Sequence, residues 1–383
     1  AFQYTRVDFL LSYYNINPDR LVLTETTGGS GAAAYNAGQF INAAYVKADV
    51  AVLPLVRVAG GLRFESAKQR VGILSLFKNE TAERIAPRKE EYILPTATVT
   101  WNFADDMQLR MGLSKTIGRP QFRELAPQVY LDPEQDRLFV GNPYLKDTEL
   151  MNFDARYEWY YESGRHFTAG FFYKKMDNAV EATIQDTGSG EGQQTYLNAP
   201  KANLYGLEFD YKGQFDSPIE GAFFDSKKWI LQANYTWTKS ELQVGDGDVV
   251  YTLGGFGKPS PAKNFLKDGA KLQGQSEHVV NAQFGWEDAD AKSQATLLLT
   301  YVSERVSARG KPGYADYIQK PGTMLDFVYR KGFTAFDREL KFGLEARNLL
   351  GTEYQEYQEQ GRRIDINKYD LGRSVSVSLS TEF

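Results

Sequence analysis

The segment from Arg119 to Tyr130 (RPQFRELAPQVY) concentrates side chains that could bind a small molecule. Arg119 and Arg123 carry guanidinium groups, whose planar set of N–H donors matches carboxylates and phosphates. Phe122 and Tyr130 supply rings that can stack on sugars or catechols, and Gln121 adds an amide. The pattern predicts contact with a solute, although packing inside a loop would use the same residue types.

A second segment near the C-terminus, EYQEYQEQGRR, offers further aromatic side chains. Tyr354 and Tyr357 in this segment are candidates for solute contact on the same grounds. The identity of a solute cannot be derived from these residues, and iron chelates, cobalamin and oligosaccharides all remain open.

Catalysis receives little support from the sequence. The two histidines, His166 and His278, are far apart and have no serine or aspartate spacing that indicates a triad. The chain has no cysteine, which excludes disulfides, thiolate metal sites and cysteine nucleophiles. We therefore predict no catalytic residue, no enzyme activity and no cofactor.

Metal and phosphate motifs are equally weak. Asp246 and Asp248 in GDGDVV could bind Ca²⁺, but the EF-hand pattern is missing, so a solvated loop is favoured. The glycine-rich stretch GGFGKPSPAK lacks the GK[ST] ending of a phosphate-binding loop. It reads as the tip of a long loop, and no metal site is predicted.

Composition narrows the class of protein that must position these residues. The formal net charge is −5, which argues against nucleic acid as a partner. Mean hydropathy is −0.46, and no apolar run approaches the roughly 20 residues of a membrane helix. A helical membrane protein is excluded, whereas a membrane β-barrel is not, because its strands need only about 9–11 alternating residues.

Strict alternation of apolar and polar residues recurs along the chain. In RSVSVSLSTEF at the C-terminus, Val375, Val377 and Leu379 share one face of a strand and serines share the other. The same period appears in MQLRMGLSK, LYGLEFDYK, WILQANYTWT and ELKFGLEAR. A period of two predicts strands rather than helices.

Charged residues occupy the polar faces of these predicted strands. We expect this face to line a lumen, with the following residues directed into it: Arg110, Glu208, Asp210, Glu345 and Arg347. Hydration of the lumen and support of a plug inside it are the favoured roles for these charges, and direct contact with a solute is the alternative.

Short and long connections alternate between the predicted strands. Long connections include Arg119–Asp147, Leu242–Gly274 and Arg305–Pro321, and short ones include Ala104–Asp106 and Ser163–Arg165. This order is typical of an all-β, antiparallel, up-and-down transmembrane barrel, here with about fourteen strands. A soluble β-sandwich is the alternative, but it does not explain apolar faces so rich in Tyr, Trp and Phe.

Four motifs occur in a characteristic order along the chain. Arg119–Pro120 is followed by GNPYLK (Gly141–Lys146), by Gly206 with Glu208, and by NLLGTEY (Asn348–Tyr354) before the last strand. This order resembles the barrel of TonB-dependent outer-membrane receptors.

The resemblance implies fold and function together. Such transporters have about 22 strands and a plugged lumen, so residues 1–383 would be the C-terminal portion of the barrel, without the plug. Active uptake of a scarce solute would then be driven through TonB at the bacterial outer membrane. Phe383 would be the terminal aromatic that the barrel assembly machinery reads, and outer-membrane lipid would surround the wall. The alternatives are a passive porin-like channel and a structural or adhesive barrel.

Overall fold

A computed structural model of the chain describes residues 34–74, 87–132, 137–186, 192–217, 219–221, 223–335 and 338–381, together with Asn15. Phe383, the predicted assembly signal, lies outside these described residues. No helix among the described residues is long and apolar enough to cross a membrane.

The architecture is an antiparallel sheet of long strands, with shorter strands in its connections. Numbered in chain order, the strands of the wall are β1 (Ala34–Leu53), β2 (Val56–Leu74), β3 (Arg88–Ala104), β4 (Met107–Gly118), β7 (Thr148–Glu162), β8 (Arg165–Asp186), β9 (Gly192–Asp216), β10 (Lys228–Gln243), β13 (His278–Asp288), β14 (Ser293–Val302), β17 (Gly322–Ala335), β18 (Arg338–Arg347) and β21 (Ser374–Thr381). The connections contain β5 (Val129–Asp132), β6 (Arg137–Val140), β11 (Val249–Tyr251), β12 (Pro259–Pro261), β15 (Arg305–Ala308), β16 (Tyr317–Lys320), β19 (Glu353–Gln360) and β20 (Arg362–Asp370), a helix α1 (Phe122–Leu125) and a 3₁₀ turn (Ala262–Asn264).

In the part of the chain that the structure describes, thirteen wall strands pair in the order in which they follow one another, and all neighbours in the wall are antiparallel. Within the described residues, β1 and β21 are the two ends of this sheet and do not pair with each other. The up-and-down prediction is confirmed. The fourteenth predicted strand would precede Asn15, in residues that the structure does not describe.

Each wall strand presents one apolar and one polar face, as the alternation predicts. Facing pairs such as Phe209 with Tyr235 and Leu297 with Phe327 continue the apolar face from strand to strand. Arg110 faces Arg156 across the β4–β7 pair and thereby lies on the opposite, polar face. This register gives the wall one continuous apolar surface and one charged surface.

Short turns and long connections lie at opposite ends of the wall, called here the turn end and the loop end. The sequence predicts long loops at the loop end, whereas the structure has short paired strands within these connections. Strands β15, β16, β19 and β20 form their own sheet, and β6 pairs with β9. The β8–β9 hairpin, not predicted as a projection, extends the ladder to Asp186 opposite Gly192.

Two apolar clusters hold the loop end together. One joins the β8–β9 hairpin to the β10–β13 connection through Leu197, Leu242 and Leu266. The other joins α1 to β6 and the hairpin through Leu125, Phe139 and Ile184. Burial of these side chains, at roughly 25 cal/mol per Å² of apolar surface, stabilises the loop end and its attachment to the wall.

Candidate functional site

An open cavity of about 400 Å³ lies at the loop end, against the polar face of the wall. Its wall side is formed by the ends of β4, β7, β8 and β9, and segments of the β4–β7 and β10–β13 connections complete it. The lining residues are Gly118, Arg119, Gln121, Glu124, Thr148, Met176, Ala179, Val180, Glu181, Leu204, Leu272, Gln273 and Gln275. We refer to it as the mouth cavity.

Arg119 lines the mouth cavity but is already engaged with two acidic residues, Glu65 of β2 and Asp147 at the end of the β4–β7 connection. Its guanidinium lies 2.5 Å from Glu65 and 3.9 Å from Asp147. Asp147 is also bound by Arg88 at 2.8 Å and by the Tyr92 hydroxyl at 2.9 Å. These contacts anchor the start of the β4–β7 connection and leave the arginine less free to bind an anion than the sequence alone indicates.

The roof of the mouth cavity is the short helix α1. The backbone N–H of Gln121 donates to the Glu124 carboxylate at 2.8 Å, which closes a capping box at the start of the helix. Burial raises the pKa of the Glu124 carboxyl above its ordinary value, against the opposing effects of that hydrogen bond and of Arg123.

A buried ion pair forms the back of the mouth cavity. The carboxylate of Glu181, which lines the cavity, lies 2.5 Å from Arg309, and the two side chains are 1% and 2% exposed. Arg309 also pairs with Asp316 at 2.7 Å, and the Gln273 backbone N–H donates to Glu181 at 3.2 Å. The β14–β17 connection is thereby fastened to the hairpin that lines the cavity.

The mouth cavity brings together only some of the residues predicted to bind a solute. Arg119 and Gln121 line it. Arg123 is exposed on α1, whereas Phe122 packs against the apolar cluster of the loop end. The ring of Tyr130 stacks on Phe139 with centroids 5.5 Å apart, which favours a packing role for this tyrosine.

The two C-terminal tyrosines lie outside the mouth cavity. Tyr354 stacks on Tyr369 at 4.7 Å, and burial raises its pKa to about 12. Tyr357 is buried, and the guanidinium of Arg363 lies 3.9 Å from its ring centroid. Their hairpin is tied to the rest of the loop end by the Arg137–Glu356 ion pair at 2.7 Å.

The five residues predicted to face a lumen lie on the polar face of the wall. Glu208 and Asp210 line an open cavity of about 350 Å³ below the mouth, together with Arg156 and Asn234. Arg110 lies 3.7 Å from Glu158, a carboxylate that also contacts Arg156.

The remaining two residues predicted to face a lumen, Glu345 and Arg347, lie on β18, next to the end strand β21. Glu345 lies 3.2 Å from Arg347 and 3.9 Å from Arg330. At both places, arginine and glutamate side chains therefore lie close together on the polar face.

Neither histidine approaches a catalytic arrangement. His166 is the second residue of β8, and its Nε2 lies 2.8 Å from a carboxylate oxygen of Asp210. His278 is the first residue of β13, and its Nδ1 lies 2.9 Å from the Tyr235 hydroxyl.

The predicted acidic loop is held by protein groups. Asp246 pairs with Lys263, and Asp248 accepts the Gly245 N–H at 2.7 Å. Across the described ranges, no cluster of three His, Cys, Asp or Glu side chains could hold a metal ion.

Sequence reasoning missed most of the mouth cavity. Met176, Leu204, Gln273 and Gln275 come from segments far apart in the chain, and no local motif marks them. Glu181 gave a possible signal, because a carboxylate within the alternating run NAVEATIQD indicates a buried partner. The cavity combines amide and carboxylate groups with an apolar side, which suits non-covalent binding of a polar organic solute.

Comparison with known proteins agrees with this geometry. The family model "TonB dependent receptor-like, beta-barrel" matches residues 2–349. A comparison with curated proteins found no match.

Solved structures share the fold at low sequence identity. The siderophore receptor PiuA of Acinetobacter baumannii has a TM-score of 0.60 at 14% identity, covering 90% of this chain and 43% of its own. The ferric yersiniabactin uptake receptor FyuA of Yersinia pestis has a TM-score of 0.59 at 16% identity, covering 91% and 46%. The ferric-catecholate import receptor Fiu of E. coli K12 has a TM-score of 0.54 at 15% identity, and the match covers 84% of this chain and 42% of that receptor.

The chain thus spans less than half the length of these three receptors. The family match extends over most of the chain and includes every strand from β1 to β18. With its up-and-down wall, its two-faced strands and its ordered loop end, the chain belongs to the TonB-dependent receptor-like β-barrel family.

Proposed function

We propose that this chain forms the C-terminal portion of the barrel of an outer-membrane active transporter. The receptor captures a scarce solute outside the cell and imports it into the periplasm with energy delivered through TonB. The observation that carries this proposal is the mouth cavity, which opens onto the polar face under an ordered loop end. Family membership supports the same assignment.

The location follows from the two faces of the wall. The apolar face meets outer-membrane lipid, and the loop end faces the medium, since long loops are extracellular and short turns periplasmic in such barrels. The barrel assembly machinery recognises the C-terminal strand.

A ferric siderophore is the solute class to test first. Three structural neighbours are described as receptors or importers of siderophores, ferric yersiniabactin and ferric catecholates. In this chain, Gln121, Gln273 and Gln275 provide amides, while Met176 and Leu204 provide an apolar side. Cobalamin and oligosaccharides are the alternatives in the same experiment.

Uptake by the full natural protein tests the proposal. It would be expressed in cells that lack their own receptors for the probes, with and without TonB. The probes are a radioactive ferric tris-catecholate, a ferric tris-hydroxamate, cobalamin and an oligosaccharide. We expect saturable uptake of one of them that disappears without TonB.

A passive porin-like channel is the rival function. It would give uptake that does not saturate and does not need TonB, and it would conduct ions steadily in a planar bilayer. Either result with the full natural protein would contradict active transport. An adhesive barrel would show neither uptake nor conductance.

A further inference from the structure

The connection between β9 and β10 differs from the other turns at the turn end. It runs over eleven residues, 217–227, whereas the β1–β2, β3–β4 and β7–β8 turns have two residues each. It is also rich in large apolar side chains, with Ile219, Phe223 and Phe224 close together. A long apolar turn at an edge exposed to water costs free energy unless something covers it.

The turn bends over the outside of the wall rather than over the lumen. Phe224 stacks on Trp229 with centroids 6.2 Å apart, and Phe223 meets Trp286 edge-on at 5.9 Å. Trp229 and Trp286 face each other across β10 and β13, on the apolar face of the sheet. The phenylalanines therefore extend the apolar face beyond the ends of its strands.

A buried lysine fixes the turn in this position. Lys227 is 7% exposed, and its ammonium lies 3.9 Å from the centroid of Phe223 and 4.9 Å from that of Trp286. Asp288 completes the attachment, since it accepts from the Ser226 hydroxyl at 2.6 Å and lies 3.5 Å from the lysine. These contacts make the turn a fixed part of the wall.

Two apolar side chains of the fixed turn still point outward. Ile219 is 57% exposed and Phe223 is 55% exposed. On the other side of the turn, Lys228 and Asp216 form an exposed ion pair at 2.6 Å. The segment is therefore amphipathic across its own width, with apolar tips outside and charges toward the polar face.

An aromatic band continues from the turn along the same edge of the wall. The ring centroids of Trp286 and Tyr329 lie 6.3 Å apart, and those of Tyr329 and Phe342 lie 6.4 Å apart. Rings in a row near strand ends are typical of the boundary between membrane and water, because ring faces are apolar and the polar atoms reach headgroups. The turn lies at the end of this band, so the surface that covers the band also covers the turn.

We infer that the described part of this connection, Ile219 together with residues 223–227, is a lipid-binding foot. Its Ile219 and Phe223 insert between the headgroups and acyl chains of the periplasmic leaflet. The occupant is phospholipid, because the foot is continuous with the apolar face of the wall. The inference rests on the proposed function, which places that wall in the outer membrane. It adds a membrane contact made by a turn rather than by a strand.

Spin labelling can test the foot directly, because these 383 residues contain no cysteine; any cysteine elsewhere in the full natural protein would first be replaced with serine. Nitroxides would be attached to Ile219→Cys and Phe223→Cys in the full natural protein, reconstituted in vesicles of phosphatidylethanolamine and phosphatidylglycerol. Leu297→Cys on the apolar face and Ser378→Cys on the polar face are matched controls. We expect the ratio of collisions with oxygen to collisions with a water-soluble nickel chelate to be severalfold higher at both foot positions than at Ser378→Cys.

Each outcome separates the foot from the barrel that carries it. If the foot labels resemble Ser378→Cys while Leu297→Cys is shielded from nickel, the foot is in water and the inference fails alone. If Leu297→Cys is also in water, the proposed membrane barrel fails with it. Foot labels that meet neither reagent would mean that protein covers the turn, which also contradicts lipid binding.

Discussion

Glu124 shows at the residue scale how the mouth cavity is both built and tuned. Its carboxylate accepts the Gln121 N–H at 2.8 Å and so holds α1 together. Burial nevertheless raises the pKa of this carboxyl, because the charged form is poorly solvated. A group whose pKa is higher in the folded than in the unfolded state lowers stability once pH rises through these values.

Replacing Glu124 with Gln should therefore change how stability depends on pH. The variant keeps a side-chain oxygen for the cap, but it has no charge to bury. Below the ordinary pKa of about 4.3 for glutamate, this site should contribute equally little to either protein. Toward neutral pH, the variant should gain free energy of unfolding relative to the parent, as measured in urea titrations of bilayer-inserted protein. A difference that stays constant with pH would show that Glu124 is not buried as a charge.

Arg119 illustrates why residue types alone do not define a binding site. The sequence offers its guanidinium either for a solute or for packing in a loop, and in the structure Glu65 and Asp147 engage it. Glu65 lies on β2 and Asp147 immediately precedes β7, so no local sequence pattern around Arg119 indicates these partners. Tyr130, Tyr354 and Tyr357 were likewise aromatic residues in loops, and each one packs on another side chain of the loop end.

At the scale of elements, the alternating strands were predictable because period two records which face each residue occupies. The segments around Leu207, Leu231 and Leu344 are strands with the predicted faces. The small strands inside the connections were not predictable. They depend on pairing between distant segments, as between β16 and β19, and such pairing leaves no periodic signal in either one.

The two faces of the wall predict very different losses of folding free energy for substitutions at neighbouring positions. Phe209 faces Tyr235 on the apolar face, whereas Glu208 next to it lies on the polar face. Phe209→Arg should cost about 2–4 kcal/mol if it lies near the bilayer midplane, because the charge enters lipid. Glu208→Gln, the matched control, should cost much less in the same folding titrations into bilayers. Equal tolerance of the two changes would show that the faces are assigned wrongly.

The buried pair behind the mouth cavity predicts that the loop end depends on Arg309. Arg309→Met leaves Glu181 and Asp316 without their cation, and breaking such a pair typically costs about 3–5 kcal/mol. We expect faster hydrogen exchange in β15 and β16, with the wall strands unchanged. Adding Glu181→Leu should restore much of the protection, because it removes the uncompensated charge. Normal exchange in the single variant would mean that the apolar clusters alone hold this connection.

At the scale of the whole molecule, the wall and the loop end are stabilised by different interactions. The wall is held by backbone ladders and offers two faces, so its interior side stays charged. The loop end has its own apolar core and buried ion pairs. The loop end is therefore held by side-chain packing and buried charges, whereas the wall below it is held by its backbone hydrogen bonds.

The C-terminal strand leads to a prediction for assembly of the whole molecule. β21 pairs with β18 from Ser374 to Thr381. In the sequence, Phe383 follows Val375, Val377 and Leu379 at the same period of two. Chain ends fray, so a terminal ring should matter little for stability. Its resemblance to an assembly signal makes the opposite prediction for the amount of protein in the membrane.

Deleting Phe383 from the full natural protein should lower that amount, scored by heat-modifiable gel mobility, and leave solute affinity per folded molecule unchanged. Phe383→Tyr, which keeps the aromatic end, should assemble normally. A normal amount of the deletion protein would make this residue an ordinary chain end, and a loss of affinity would instead connect the terminus to the solute site.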